Sequence, residues 1–405
     1  MAYGNSLVMA SMELNPTIDS NAVFLFALGV IMLLGLFASF IGHRTFLPRV
    51  TLLLILGIAF GKEGLGIIPP VISDNFGLIA EIALLMVGFL LGGKLTRDSL
   101  DGVMHQALYI SLCAALITTL VVGLGLLISG VRVEVAIILG CIASATAPAA
   151  ILDIVNESES VGRFKNLLLS IVALDDAWAL ILFGVGVAVV FPLYHGSMDN
   201  SSILFSLQHI GGAVLLGLVI GIPSAYLTGR LKPGQPSLSE ALGVVFICGG
   251  LALWFDVSYL IATMVLGATI ANLARHHDYP FHAIEGIEEQ FLMLFFVLAG
   301  ASLEIEVAVQ IGMLGILFIA LRSIGKVLGA RIGGKLAHAD QTTNRWMGVA
   351  LLPQAGVAIG MALVAGNYFP DHAQLLLTVV ISSTIFFEII GPIVTRLAIQ
   401  TAEKG

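Results

Sequence analysis

Charge is scarce in this chain: only 11% of its 405 residues are Asp, Glu, Lys or Arg, while 58% are hydrophobic. A soluble domain carries about 25% charged residues, so this composition excludes a soluble globular domain. Only three cysteines are present, and all fall inside apolar runs, which excludes a disulfide or metal framework. No Lys or Arg precedes the first apolar run, so the basic start of a signal peptide is missing. These features indicate a polytopic helical membrane protein.

Thirteen apolar segments follow one another along the chain, and most are long enough to form a membrane helix. They cover residues 22–41, 50–61, 76–93, 105–128, 134–154, 167–190, 203–228, 239–254, 258–274, 289–303, 307–330, 346–366 and 372–395. We therefore expect an all-α multi-pass protein with about 13 transmembrane helices.

The basic residues indicate how these segments are oriented. With the N-terminus outside, the loops on the cytoplasmic side receive fourteen of the 18 Lys and Arg residues, and the other side receives only Lys62 and Arg132. The remaining two, Arg322 and Lys326, lie inside the eleventh segment. Because basic residues concentrate in cytoplasmic loops, we expect the N-terminus outside and the C-terminus in the cytoplasm, in the cytoplasmic (inner) membrane.

The second half of the chain is similar in sequence to the first half at an offset near 207 residues. The three matches, in order, join Leu56–Ala59 to Leu266–Thr269, Phe89–Gly93 to Phe296–Gly300, and Pro148 to Pro353. Segments one to six would then repeat as segments eight to thirteen, with the seventh as a connector. An odd number of helices separates corresponding members, so the two six-helix repeats would be inverted, as in many secondary transporters.

Pro148 and Pro353 each lie in mid-segment beside small or polar residues. Proline removes a backbone donor and clashes with the preceding turn, so both helices are predicted to break at mid-depth. Two discontinuous helices crossing at the midplane would offer free carbonyls and opposed half-helix dipoles around one ion site. The alternative is a pair of kinks that serve packing only. The residues predicted at the crossing are Ser144, Thr146, Ala147, Pro148, Pro353 and Gln354.

Asp175 and Asp176 are adjacent carboxylates near the middle of the sixth segment. An ionised Asp at the centre of a membrane helix costs roughly 2.5–3.5 kcal/mol, so such groups line a wet cavity, pair with a cation or carry ions. Their side chains diverge by about 100° around the helix, so they cannot share one role from one direction.

Lys326 is the natural neighbour of this acidic pair, because it and Asp176 both lie roughly 13–16 Å from the cytoplasmic interface at 1.5 Å per residue. Burial favours the neutral form of each group and mutual attraction favours the charged form. A site balanced between these effects can exchange protons near neutral pH, and a monovalent cation would compete for the carboxylate. The alternative is a static Asp–Lys bridge that only neutralises buried charge.

Three further charged residues are possible accessories. Arg322 could share the carboxylates, pair with Glu388 in the last segment, or meet a helix C-terminus. Asp153 follows the first break and could close the cytoplasmic end of the path, whereas Glu388 is expected to be structural. The 45 glycines suggest close helix packing rather than a cofactor loop. We expect no cofactor and no nucleic-acid partner.

Four stretches of the sequence resemble the monovalent cation/proton antiporter superfamily, in the branch of bacterial sodium/proton exchangers with a double aspartate. They are residues 144–150, 175–178, 325–329 and 352–356. The resemblance covers essentially the whole chain. It implies that Asp176 is the principal carrier of Na⁺ and protons, that Asp175 forms and breaks an ion pair with Lys326, and that Thr146 lies at the crossing.

The resemblance also implies a homodimer built from two kinds of helices. Residues 22–94 and 239–304 would form a scaffold that dimerises, residues 105–190 and 305–398 a core that moves against it, and residues 203–228 a connecting helix. The lysine in the eleventh segment implies electrogenic exchange. Potassium-efflux members usually carry a soluble tail, and this chain ends soon after its last segment, which favours sodium or lithium.

The favoured hypothesis is a secondary active antiporter that exchanges Na⁺ or Li⁺ for protons by alternating access, with a role in pH homeostasis. A potassium/proton antiporter of the same superfamily is the first alternative. A sodium-coupled organic anion symporter is the second, and it would not need Lys326 near the acids. An intramembrane aspartyl protease needs two acids that face each other, and consecutive carboxylates on one helix diverge, so we expect no enzymatic activity.

Overall fold

The computed structural model describes most of the chain. The described residues are 20–44, 49–95 without 63, 67, 70, 71, 73 and 74, then 104–156, 162–194, 208–227, 238–274, 278–303, 312–354 and 356–404. Within these ranges the chain is helical, with no strand. The all-α prediction is therefore confirmed.

Fifteen α-helices occupy the described ranges. They are α1 (Ser20–Arg44), α2 (Arg49–Phe60), α3 (Phe76–Gly93), α4 (Met104–Ile128), α5 (Val133–Ile142), α6 (Pro148–Asn156), α7 (Arg163–Tyr194), α8 (Ala213–Leu227), α9 (Leu238–Trp254), α10 (Tyr259–Leu273), α11 (Asp278–Ala301), α12 (Gly312–Leu336), α13 (Gln341–Ala350), α14 (Gly356–Tyr368) and α15 (Ala373–Lys404). A π-helical turn, Gln208–Gly212, precedes α8, and a 3₁₀ turn, Pro370–His372, precedes α15.

Each of the thirteen predicted segments coincides with one of these helices or with a pair of them. In the described ranges six helical stretches, built on α3, α4, α7, α8, α12 and α15, are long and apolar enough to cross a membrane by themselves. That all thirteen segments cross the bilayer stays a prediction.

The observed helices are longer than the apolar segments at several ends. The tenth segment was predicted to begin at residue 289, but α11 begins at Asp278, and α15 continues to Lys404 rather than ending near 395. The added turns are rich in charged and polar residues, which a hydropathy criterion leaves out although their backbone continues the helix.

The fifth segment is broken into two helices at the position that the proline predicts. α5 ends at Ile142, and α6 starts with Pro148 as its first residue. A proline is tolerated there because its missing N–H would be one of the unpaired donors of a helix start. The hydroxyl of Ser144 donates to the carbonyl of Cys141 at 2.7 Å, which satisfies one carbonyl at the end of α5.

The twelfth segment is broken in the same way. α13 ends at Ala350, α14 begins at Gly356, and Pro353 lies in the non-helical stretch between them. A residue before proline is driven away from the helical conformation, so Leu352 cannot continue α13. The two breaks meet directly, because the N–H of Ala147 donates to the carbonyl of Pro353 at 3.0 Å.

Glycines bring the flanking helices into close, reciprocal contact. A Cβ at Gly57 of α2 would clash with the carbonyl of Val297 in α11, and one at Gly267 of α10 would clash with the carbonyl of Phe89 in α3. In membranes such small residues allow helix backbones to approach closely. A second reciprocal pair sets Gly300 against the carbonyl of Leu54 and Gly92 against that of Met264. Packing of α2 on α11 is thus mirrored by packing of α10 on α3.

Candidate functional site

The two adjacent acids lie near the middle of α7 and are both fully buried. Asp175 is 0% exposed and Asp176 is 1% exposed. Because they follow each other on one helix, their side chains point in directions about 100° apart. They consequently have different neighbours.

Asp175 is held in a three-membered polar cluster with Thr146 and Lys326. The ammonium of Lys326 lies 2.5 Å from Oδ2 of Asp175 and 2.7 Å from the hydroxyl oxygen of Thr146. The Thr146 hydroxyl in turn donates to the same Oδ2 of Asp175. Lys326 is 0% exposed, so this is an ion pair sealed from solvent. Charge-assisted hydrogen bonds of this kind are about twice as strong as neutral ones.

Close packing of α12 on α4 brings Lys326 to this depth. A Cβ at Gly325 would lie 2.8 Å from Cα of Thr118, and one at Gly329 would lie 2.7 Å from Cα of Ala114. The two helices therefore meet through backbone rather than side chains. Lys326 lies directly after Gly325, so its side chain starts close to the interface between α12 and α4.

Asp176 differs from its neighbour, because its carboxylate oxygens have no side-chain hydrogen-bond partner among the described residues, and the backbone N–H of Thr146 is the donor that faces them. Oδ1 of Asp175 is also buried without such a partner. Buried polar groups in folded proteins are nearly always satisfied, and an unpaired buried charge is expensive. Three carboxylate oxygens on one turn of α7 are therefore buried without a side-chain partner among the described residues. Oxygen ligands suit hard cations and protons.

Arg322 lies at the crossing of the two breaks and contacts carbonyl groups of both. Its Nε donates to Ala143 at 3.1 Å and its Nη2 to Ala145 at 2.7 Å, both after the end of α5. Its Nη1 donates to Leu352 at 2.7 Å, and Nη2 also lies 3.4 Å from the carbonyl oxygen of Pro353, both after the end of α13. Of the three interpretations that the sequence left open, the structure shows a contact with helix C-termini.

The structure also shows where three other predicted residues lie. Gln354 is fully buried; its Oε1 lies 3.5 Å from the hydroxyl of Ser383, and its Nε2 has no partner among the described residues. Glu388 is 3% exposed in the middle of α15. Asp153 belongs to α6, but its side chain lies outside the described residues. The cluster of Thr146, Asp175 and Lys326 is thus the best defined part of the predicted site.

Sequence analysis missed two features of the site. The partners of Arg322 are backbone carbonyls, which every residue carries, so no side-chain pattern could identify them. The ring of Phe387 lies 4.3 Å from the guanidinium carbon of Arg322, a cation–π contact. An aromatic residue in an apolar helix gives no signal of such a contact, because aromatic residues are common there.

Comparison with known proteins identifies the relatives of this fold and site. A profile of the family described as "Sodium/hydrogen exchanger, transmembrane" matches residues 24–400. The chain is 23% identical over 368 residues to the ammonium/H⁺ antiporter subunit AmhT of Alkalihalophilus pseudofirmus, which covers 90% of this chain and 92% of that protein.

A second curated relative is the glutathione-regulated potassium-efflux system protein KefC of Escherichia coli, at 25% identity over 383 residues. The match covers 87% of this chain and 57% of KefC, so the chain spans a little over half of that protein's length. Among solved structures, the sodium proton antiporter MjNhaP1 from Methanocaldococcus jannaschii matches with a TM-score of 0.70 at 21% identity. That match covers 94% of this chain and 97% of the other, which shows a shared fold.

Proposed function

Because the chain belongs to the sodium/hydrogen exchanger family, within the monovalent cation/proton antiporter superfamily, we propose that it exchanges Na⁺ or Li⁺ for protons by alternating access. Asp176 is the carrier in this proposal. The observation that carries it is a fully buried carboxylate with no side-chain hydrogen-bond partner among the described residues, next to an acid that is already paired with a lysine.

Competition for one carboxylate couples the two fluxes. Asp176 accepts either a proton or a metal cation, and neither ligand can bind while the other is present. The half-helix dipoles at the ends of α5 and α13 amount to about half a negative charge each, which Arg322 offsets. Asp175 and Lys326 offset each other. The core with Asp176 protonated is therefore close to neutral, whereas a core with an empty, ionised Asp176 buries an unpaired charge that would be expensive to move through the hydrocarbon.

Lys326 makes the exchange electrogenic in this mechanism. A cation that binds at Asp176 also attracts the free Oδ1 of Asp175, which weakens the hold of Asp175 on the ammonium. A buried lysine without its counter-ion favours the neutral form. Lys326 then releases a proton as the cation binds, so that more than one proton moves for each cation.

Several architectural features complete the proposal. The reciprocal glycine contacts support two inverted repeats, because a two-fold relation would exchange α2 with α10 and α3 with α11. We assign α1–α3 and α9–α11 to a scaffold, α4–α7 and α12–α15 to a moving core, and α8 to the connection. The scaffold would form a homodimer in the cytoplasmic membrane, with the N-terminus outside and the C-terminus inside.

Potassium and ammonium are the competing substrates, because two relatives are a potassium-efflux system protein and an ammonium/H⁺ antiporter subunit. The same carboxylate chemistry serves all four monovalent cations. Aspartyl protease chemistry is disfavoured, because Asp175 and Asp176 have different neighbours. Symport of an organic anion with sodium is disfavoured, because it would not need a lysine beside the acids, and Lys326 is paired with Asp175.

The test is a proton-flux assay in proteoliposomes that contain the purified protein. Addition of Na⁺ or Li⁺ without any organic solute should move protons in the opposite direction, and K⁺ and NH₄⁺ are assayed in parallel. Asp176→Asn should abolish the flux, whereas Asp371→Asn, at an exposed site, should preserve it. Full exchange in Asp176→Asn would refute the assignment of the carrier, and a response only to K⁺ or NH₄⁺ would refute the choice of Na⁺ or Li⁺.

A further inference from the structure

Thr146 is held in place from both sides along the backbone. The carbonyl before it, on Ala145, accepts a hydrogen bond from Arg322, and the N–H after it, on Ala147, donates to the carbonyl of Pro353. The Ala145 carbonyl and the Thr146 N–H belong to one planar peptide group, so a bond to the first fixes the orientation of the second. Because α5 has ended at Ile142, no regular helical ladder fixes this peptide group.

We propose that Arg322 is a positioning residue for the exchange reaction, which acts by holding Thr146 in contact with Asp175 and Lys326. This inference rests on the proposed function. Among the described residues, Arg322 makes no hydrogen bond to either carboxylate, and its hydrogen-bond acceptors are the carbonyls of the two breaks. Its hydrogen bonds reach the ion pair through the peptide group of Thr146, in addition to the electrostatic interaction of its charge with Asp175 and Lys326.

The geometry requires arginine rather than any cation. Guanidinium presents five donors in a rigid plane, and here three of its nitrogens span carbonyls on two separate breaks. A lysine carries its three donors on one atom and cannot bridge the same span. A guanidinium also keeps its charge under conditions in which a buried ammonium loses it, so Arg322 supplies a constant charge and leaves proton exchange to its neighbours.

The primary experiment is a double-mutant cycle with Arg322→Lys and Thr146→Ala in proteoliposomes. Arg322→Lys should raise the KM for the cation about tenfold, since one or more charge-assisted hydrogen bonds are lost. If Arg322 acts through Thr146, the double variant should raise KM by clearly less than the product of the two single effects. The proposal would be overturned if KM in the double variant rose by the full product of the two single effects. An unchanged KM in Arg322→Lys would overturn it as well.

The ratio of protons to cations separates positioning from transport. Measured as a reversal potential, this ratio should be the same in Arg322→Lys and in the unchanged protein, and a changed ratio would mean that Arg322 carries a coupled charge. Arg331→Lys is the matched control, because Arg331 is exposed on the same helix. It should leave KM unchanged.

A second variant keeps the proposal testable if Arg322→Lys does not fold. Phe387→Leu removes only the ring beneath the guanidinium and should raise KM about two- to threefold, and no change in KM would count against the proposal. Failure of the unchanged protein to exchange any cation for protons would instead refute the proposed function. The two failures are therefore distinguishable.

Discussion

At the scale of single residues, Lys326 is the group whose protonation, in the proposed mechanism, decides the charge that each cycle moves. It donates to both Asp175 and Thr146, so two acceptors stabilise its charged form. Complete burial favours the neutral form. A competing cation at the neighbouring acid can shift the balance between these opposing effects, whereas an exposed lysine would stay charged throughout.

Lys326→Gln should make exchange insensitive to voltage. Glutamine keeps a donor for Asp175 but cannot release a proton, so one proton would move for each cation. A membrane voltage of 100 mV changes the free energy of moving one net charge across the bilayer by about 2.3 kcal/mol. An electroneutral cycle moves no net charge, so this effect of voltage on exchange would disappear. The measurement is the rate and reversal of cation-driven proton flux at clamped voltages. Lys335→Gln, at an exposed site on the same helix, is the control, and undiminished voltage dependence in Lys326→Gln would show that Lys326 keeps its proton.

At the scale of elements, the start of α13 fixes the half-helix that leads to the second break. Asp340 caps this helix: its Oδ2 accepts from the N–H of Thr343 at 2.9 Å and its Oδ1 from the Thr343 hydroxyl at 2.7 Å. Burial alone would raise the pKa of Asp340, but the hydrogen bonds from Thr343 and nearby positive charge outweigh it and lower the pKa. The cap is therefore strongest with Asp340 ionised.

Asp340→Ala should reduce stability by about 1 kcal/mol, a typical cost of losing an N-cap. Because the pKa is lowered on folding, the charge stabilises the protein above the unfolded value of 3.8, and this contribution is lost as the pH falls through the folded value. The difference in thermal unfolding between Asp340→Ala and the unchanged protein should shrink on acidification. Asp340→Asn retains a capping oxygen, so its stability should fall by less than that of Asp340→Ala. Equal losses of stability in the two variants would contradict the capping role.

The sequence predicts some parts of these elements better than others. The breaks after α5 and α13 could be predicted because proline at 148 and 353 has a local steric effect that needs no tertiary information. The closeness of Lys326 to the acidic pair could be predicted from depth, since helical rise fixes depth once the loops are placed, whereas the choice of Asp175 as its partner came from the family resemblance. The partners of Arg322 could not, because the carbonyls become available only when two distant breaks meet. The functional roles of all these residues stay predictions.

At the scale of the whole molecule, the proposed core and scaffold meet around a small cavity. Its lining includes Phe183 and Val187 of α7, Tyr368 at the end of α14, Tyr259 of α10, and His209 of the π-helical turn. With the N-terminus outside, these residues belong to the outer half of the protein. Alternating access requires the core to slide at this junction, so close packing between α7 and α10 should limit the rate rather than the affinity.

Gly184 of α7 provides a test of that movement. A Cβ there would lie 2.5 Å from Cδ1 of Ile261 in α10, the end of a flexible side chain, so Gly184→Val should fold but overpack the junction. Overpacking costs about 1–3 kcal/mol, and 1.36 kcal/mol is tenfold in rate, so kcat should fall about tenfold or more with the cation KM unchanged. Gly250→Val in α9 is the control, because a Cβ at Gly250 meets nothing within 4 Å. Equal losses of kcat in both variants, or a raised KM in Gly184→Val alone, would show that α7 and α10 do not slide past each other during exchange.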